Sequence, residues 1–290
     1  MQRSALIRVL TGAFAVVYLA VRLPYFADLS RHDASELSPV GVASFLRAPL
    51  PPAATWTIAI VALLSGIAFV RGVRLRASGI VFFLALLWVT TYRSSFGKVL
   101  HSENLLVLHV GVLAVAAWLD DEAWTVRTLG VATTLTYFVA GVTKLRAGGA
   151  AWLSGRALGD WLAFDALRKI ELGSFHSPVA AWLAGTPALL VVLSAFTLAV
   201  ELGAPAALVS PRLARAWAAA AWAFHLGVLV AMAIGFFYPL TGVAFASLLP
   251  VEKSERLVAF ARRISGDRDG RSGRAPAPAS PGPSRPARPR

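Results

Sequence analysis

The chain has 290 residues, of which 57% are hydrophobic and only 15% charged; it has no cysteine and a formal net charge of +13. Soluble domains carry roughly 25% charged residues, so this deficit, with a mean hydropathy of +0.65, excludes an ordinary soluble enzyme and describes an integral membrane protein. The missing cysteine excludes disulfides, thiolate metal sites and a cysteine nucleophile, and the basic residues sit in short connections and near the C-terminus, a distribution that sets membrane orientation rather than one that binds nucleic acid.

Apolar runs broken at charge, Pro and Gly clusters mark the spans in chain order. The first, near 5–23, is followed by Pro24-Tyr25-Phe26 instead of a small-residue cleavage site, so it reads as a retained span. Further runs lie near 54–70, 78–92, 104–118, 125–143, 187–209 and 215–233, with a short one near 236–250 that could join its predecessor as a bent hairpin. The expected fold is all-α, a polytopic transmembrane helical bundle of seven or eight spans.

With eight spans, Arg71, Arg74, Arg76, Arg212 and Arg215, with Lys253, Arg256, Arg262 and Arg263, all fall on one side of the bundle. The positive-inside rule makes that side cytoplasmic, together with both termini, and makes the location a cell membrane. The outer side then carries the connections 24–53, 93–103 and 144–186. The last is too long for a turn, contains Trp152, Trp161, Phe164 and Pro178, and predicts interfacial helices lying over the bundle. Residues 1–250 form the expected transmembrane domain. Residues 251–290 form a basic, Pro/Gly/Arg-rich cytoplasmic tail expected to be disordered, with anionic lipid as its physical partner.

Two pairs of polar residues could carry chemistry. Lys144 ends the apolar stretch Tyr137-Phe138-Val139-Ala140-Gly141-Val142-Thr143. A partly desolvated amine can shed its proton and act as a base; the competing reading is a lysine that snorkels at a helix end. His101 opens the next-neighbour run and would lie at the same depth, where it could orient the amine. Ser102, Glu103 and Asn104 beside it also read as a helix-start cluster. Glu201 and His225 fall well inside two adjacent runs, each roughly 12–15 Å from their shared turn at 1.5 Å per residue. Ionisable residues at that depth pair with each other or line a cavity. The histidines lack the dense spacing of a membrane metal site, so no metal is expected.

The stretch from Tyr137 to Leu145, with Trp152 and Gly155 after it, resembles the central motif of the membrane domain of vitamin K-dependent gamma-carboxylase, the horizontally transferred transmembrane (HTTM) domain family. His101-Ser102 and Phe224-His225 followed by Ile234-Gly235-Phe236-Phe237 match in the same order, so the likeness covers most of residues 1–250. The resemblance implies that Lys144 is the base that deprotonates reduced vitamin K or menaquinol, with His101 as its partner. Epoxidation of the quinol then supplies the strong base that prepares a glutamate for carbon dioxide. Glu201, His225 and Trp152 become candidate residues of the quinol cavity. The chain departs from the family at Thr143, where the family has a second lysine, and it shows no large propeptide-binding domain. Short bacterial members also resemble the sporulation-delaying protein B group, which implies a second possibility, a non-enzymatic membrane partner for maturing or exporting a small peptide.

Overall fold

The computed structural model describes residues 1–97 and 101–266. Lys98 in the expected 93–103 connection and the part of the expected disordered tail from 267 onward lie outside the described residues. Among the described residues twelve α-helices follow in order: α1 (Arg3–Asp28), α2 (Pro52–Val70), α3 (Leu75–Arg93), α4 (Asn104–Leu119), α5 (Glu122–Gly148), α6 (Ala150–Leu153), α7 (Arg156–Glu171), α8 (Pro178–Ala184), α9 (Pro187–Leu202), α10 (Pro211–Met232), α11 (Phe237–Leu240) and α12 (Glu255–Ser265). Extended pairing among the described residues is limited to one isolated bridge, Leu37 with Phe96.

Four helices, α1 with its continuation to Arg31, α2, α3 and α10, are long and apolar enough to cross a membrane. The α8–α9 pair makes a fifth if its 106° bend is one broken span. Helix starts have local causes. Pro at the first or second position opens α2, α8, α9 and α10, where its missing N–H costs nothing. The side chains of Asp121, Ser177, Ser210 and Ser254 accept from the free N–H groups of α5, α8, α10 and α12.

Consecutive helices α1 to α4 are antiparallel neighbours; α5 then lies between α4 and α9, and α10 packs on the turn that follows α9. The main core runs through Phe26, Phe69, Phe82, Leu106, Leu129 and Phe245. Small residues let helices approach closely, as at Gly79, where an added Cβ would lie 3.3 Å from the Ala114 backbone. Leu64, Leu84, Leu108, Val139 and Val192 point outward, which suits helices solvated by lipid.

The structure revises three boundaries. The run 187–209 does not stay helical: α9 stops at Leu202, and a tight 3-10 turn covers Ala204–Leu208, where Pro205 cannot continue the ladder. The run 236–250 forms one helical turn and a 3-10 turn, with Pro239 and a left-handed Gly242 interrupting it. The start of the expected tail is ordered, because α12 packs through Leu257, Ala261 and Ile264 onto Leu6 and Leu10 of α1.

Candidate functional site

The residues singled out from sequence converge where α5, α9 and α10 meet, but with other partners than expected. Lys144 Nζ donates to Glu201 Oε1 at 2.5 Å. Glu201 is 3% exposed, and Lys144 is half-open, its side chain 25% exposed. The cause is Gly141, one turn before Lys144. A Cβ there would lie 2.9 Å from Glu201 Cβ, so the missing side chain lets α9 press its carboxylate against α5. Trp152 of α6 covers the pair, its ring centroid 5.5 Å from Nζ, a cation–π arrangement. Gly155 closes this corner. Its φ of 75° favours glycine, and a Cβ would meet the Leu190 carbonyl carbon at 2.6 Å.

His225, 6% exposed, takes Tyr137 as its partner, with the hydroxyl and Nε2 2.6 Å apart. A direct Glu201–His225 hydrogen bond is therefore not formed, because each side chain engages α5 instead. Phe236 stacks against His225 at 4.9 Å and against His101 at 5.5 Å. Tyr137 lies on the face of α5 that carries Lys144, so the two halves meet on one helix. All five sequence candidates thus belong to one cluster: His101, Phe236, His225, Tyr137, Glu201, Lys144 and Trp152 in succession.

Two polar atoms of this cluster, Glu201 Oε2 and His225 Nδ1, are buried without a hydrogen-bond partner. An unpaired buried polar group costs about 1–3 kcal/mol, so the cluster is held at a cost to stability. Glu201 Oε2 can accept one further hydrogen bond, and His225 Nδ1 can accept or donate one according to its tautomer.

Sequence reasoning named Tyr137 only as part of a motif. Its spacing held the signal, since residues seven apart on a helix share a face, and Tyr137 precedes Lys144 by that interval. The helix does start where the Ser102-Glu103-Asn104 cluster placed it, α4 opening at Asn104 with Glu103 as its N-cap residue, but Glu103 does not cap with its side chain. That side chain instead forms a buried ion pair with Arg93 at 2.9 Å, which also bonds Tyr18 at 3.0 Å. The buried charge of Arg93 outweighs a capping bond as the carboxylate's partner.

A cavity of about 520 Å³ lies elsewhere, lined by Tyr25, Asp28, Arg31 and Trp56, and contains none of the cluster. Its charged groups are largely exposed and its ion pair, Arg31 with Asp28, is a surface one, so it offers no desolvated chemistry. Comparison with family models, with curated proteins and with solved structures gave no match.

Proposed function

We propose that the chain is a multi-pass membrane protein of the HTTM type whose α5–α9–α10 cluster removes a proton from a lipid-soluble quinol, in the manner of a carboxylase-like or epoxidase-like enzyme. The observation that carries this reading is the Lys144–Glu201 pair with its second carboxylate oxygen buried and unpartnered. In a low-dielectric site the shared proton can rest on either member, because an ammonium–carboxylate pair loses much of its advantage over amine and acid once desolvated. With the proton on Glu201, Lys144 is a neutral amine base; with it on Lys144, Glu201 Oε2 is the acceptor. Either way one unit takes a single proton from a hydroxyl placed against it.

The other residues position the ligand. His225, held by Tyr137, presents Nδ1 to a second oxygen, and His101 and Phe236 close that end. Trp152 lies against the amine of Lys144, whose side chain stays partly open. The quinol, when bound, supplies the acidic hydroxyl and the oxygen chemistry. In this reading α1 to α5, the α8–α9 pair and α10 are seven helical spans, and the segment 236–250 makes the eighth crossing, from Phe236 beside His101 to Leu249 beside Arg3. The cluster, α6 and α7 lie at the outer face, and both termini are cytoplasmic.

The test reconstitutes the protein in lipid with vitamin K hydroquinone or menaquinol and oxygen, and follows epoxide by mass spectrometry. Epoxide is expected from the wild type, with a loss of at least about a hundredfold, the usual contribution of a general base, in Glu201→Gln and Lys144→Met. Undiminished epoxide from both folded variants, or none from the wild type with either quinol, overturns the reading. A second reading, a membrane partner for peptide maturation or export, is favoured by the exposed Trp161, Phe164, Leu167, Phe175 and Trp182 of the α7–α8 segment. It expects both variants to be silent and changes at those aromatic residues to break a complex.

A further inference from the structure

The last described helix, α12, spends its apolar ridge on the protein. Leu257, Ala261 and Ile264 rest on Leu6, Leu10 and Val70, and Ala261 is fully buried. What it turns outward is mainly basic: Arg256, Arg262 and Arg263 are exposed, as is Lys253 just before it, against one exposed acid on the helix, Glu255. Phe260 stands beside them, 49% exposed. The helix is firmly placed. Ser254 caps its first turn, Gly266 ends it in a left-handed conformation, and Glu252 just upstream pairs with Arg3 at 3.4 Å.

Its depth follows from its partners. Leu6 and Leu10 lie in the first two turns of α1, a helix long and apolar enough to cross the bilayer, and Val70 is the last residue of α2. An element resting on those residues lies at headgroup level, along the membrane surface rather than through it. Arg71, Arg74 and Arg76 of the α2–α3 turn are exposed at the same end.

Helix stability alone explains only part of this charge. Arg262 and Arg263 occupy the last turn, where cations suit the helix dipole, but Arg256 occupies the first turn, where a cation opposes it. The three guanidinium groups have no carboxylate partner among the described residues. Arg256 and Arg263 are seven positions apart, so they share a face about 10.5 Å apart along the axis, with Phe260 beside them.

We propose that α12 is a docking surface for anionic lipid headgroups, in which Arg256 and Arg263 bind phosphate oxygens and Phe260 enters the acyl boundary. The apolar ridge is already committed to the protein, so the attraction is electrostatic: it depends on lipid charge and is screened by salt. The surface is independent of the Lys144 cluster.

The full-length protein is reconstituted in nanodiscs of phosphatidylcholine alone or with phosphatidylglycerol, and amide hydrogen exchange is followed across 255–265. Each basic residue near an anionic surface contributes about fivefold in binding. With two such residues the anionic disc should slow exchange in α12 by about twenty-five-fold, 0.5 M salt should remove most of the difference, and Arg256→Gln/Arg263→Gln should abolish it. Exchange in α1 serves as the control for folding. Equal exchange of wild-type α12 in the two discs overturns the proposal, as does a full lipid effect retained by the double variant.

Discussion

Two buried histidine–tyrosine pairs sit in this molecule with the same ring geometry, centroids 5.6 Å apart and planes at 77° in both. They differ in what surrounds them. His109 bonds Tyr238 through Nδ1 at 2.7 Å and Thr133 through Nε2 at 2.9 Å, and Tyr238 reaches Thr11 at 3.2 Å, so α1, α4, α5 and α11 are tied together with every ring nitrogen used. His225 bonds Tyr137 through Nε2 and leaves Nδ1 buried and unpaired, one step from a carboxylate that also holds an unpaired oxygen. A satisfied network fixes one packing of the helices. An unsatisfied one of the same shape retains hydrogen-bonding capacity that the fold does not use, which is what a binding or proton-transfer site requires. Under the proposed function, the difference between the structural histidine and the chemical one lies in the second nitrogen, not in the pair.

The largest expected effect comes from separating the charges at the unsatisfied site. Lys144→Met leaves Glu201 buried without its cation, and breaking such a pair from one side costs about 3–5 kcal/mol. Lys144→Met/Glu201→Leu removes both charges and should recover most of that loss. Thermal unfolding of purified protein in one detergent measures both. A single variant as stable as wild type would mean that the pair is solvated, and the comparison of the two sites would lose its basis.

A smaller effect should follow from Gly141→Ala. The added methyl meets Glu201 Cβ at 2.9 Å, an atom fixed to the α9 backbone, and the Leu202 side-chain end at 3.0 Å, so α5 and α9 must separate. Overpacking of this kind costs about 1–3 kcal/mol. Gly130→Ala on the same helix meets only side-chain ends, Leu248 Cδ2 at 3.3 Å and Leu208 Cδ2 at 3.5 Å nearest, and should cost less. Melting curves of the two variants give the contrast. Equal losses would show that the close approach of α9 is not what seats the carboxylate.

Much of the fold is legible in the sequence because lipid-facing helices advertise themselves by composition. The runs near 54–70, 78–92, 104–118 and 215–233 each fall within a residue or two, up to four at one end, of α2, α3, α4 and α10. α5 was placed but cut short. It runs on to Gly148 because Lys144 and Arg146 have long stems that let a helix continue past the apolar region. The pairing of the site was not legible. Hydropathy gives the depth of Lys144, Glu201 and His225 but not which helix faces which, and the contact of α5 with α9 spans 57 residues of sequence. Gly141 was the local clue, a residue without a side chain on the face of α5 that carries Tyr137 and Lys144. The Arg93–Glu103 pair was hidden for a different reason: Glu103 stands in a sequence that looks like a helix cap, and only the arrival of α3 beside it shows the stronger partner.

The smallest effect is the sharpest test of the two-histidine comparison. Removing both members of a hydrogen-bonded pair in favour of apolar groups of similar shape leaves no stranded partner and is close to neutral. Tyr137→Phe/His225→Leu also deletes the unpaired Nδ1, so its stability should match or slightly exceed that of the wild type. Tyr238→Phe/His109→Leu, in contrast, strips contacts from Thr11 and Thr133 and should cost about 1–2 kcal/mol, the scale of interhelical hydrogen bonds in membranes. Quinol turnover should change the opposite way, lost in the first double variant and retained per folded molecule in the second. Melting temperature and epoxide yield measured on the same two preparations decide it. If the first variant were the less stable and still turned over, His225 would be the structural histidine and His109 the one to examine for chemistry.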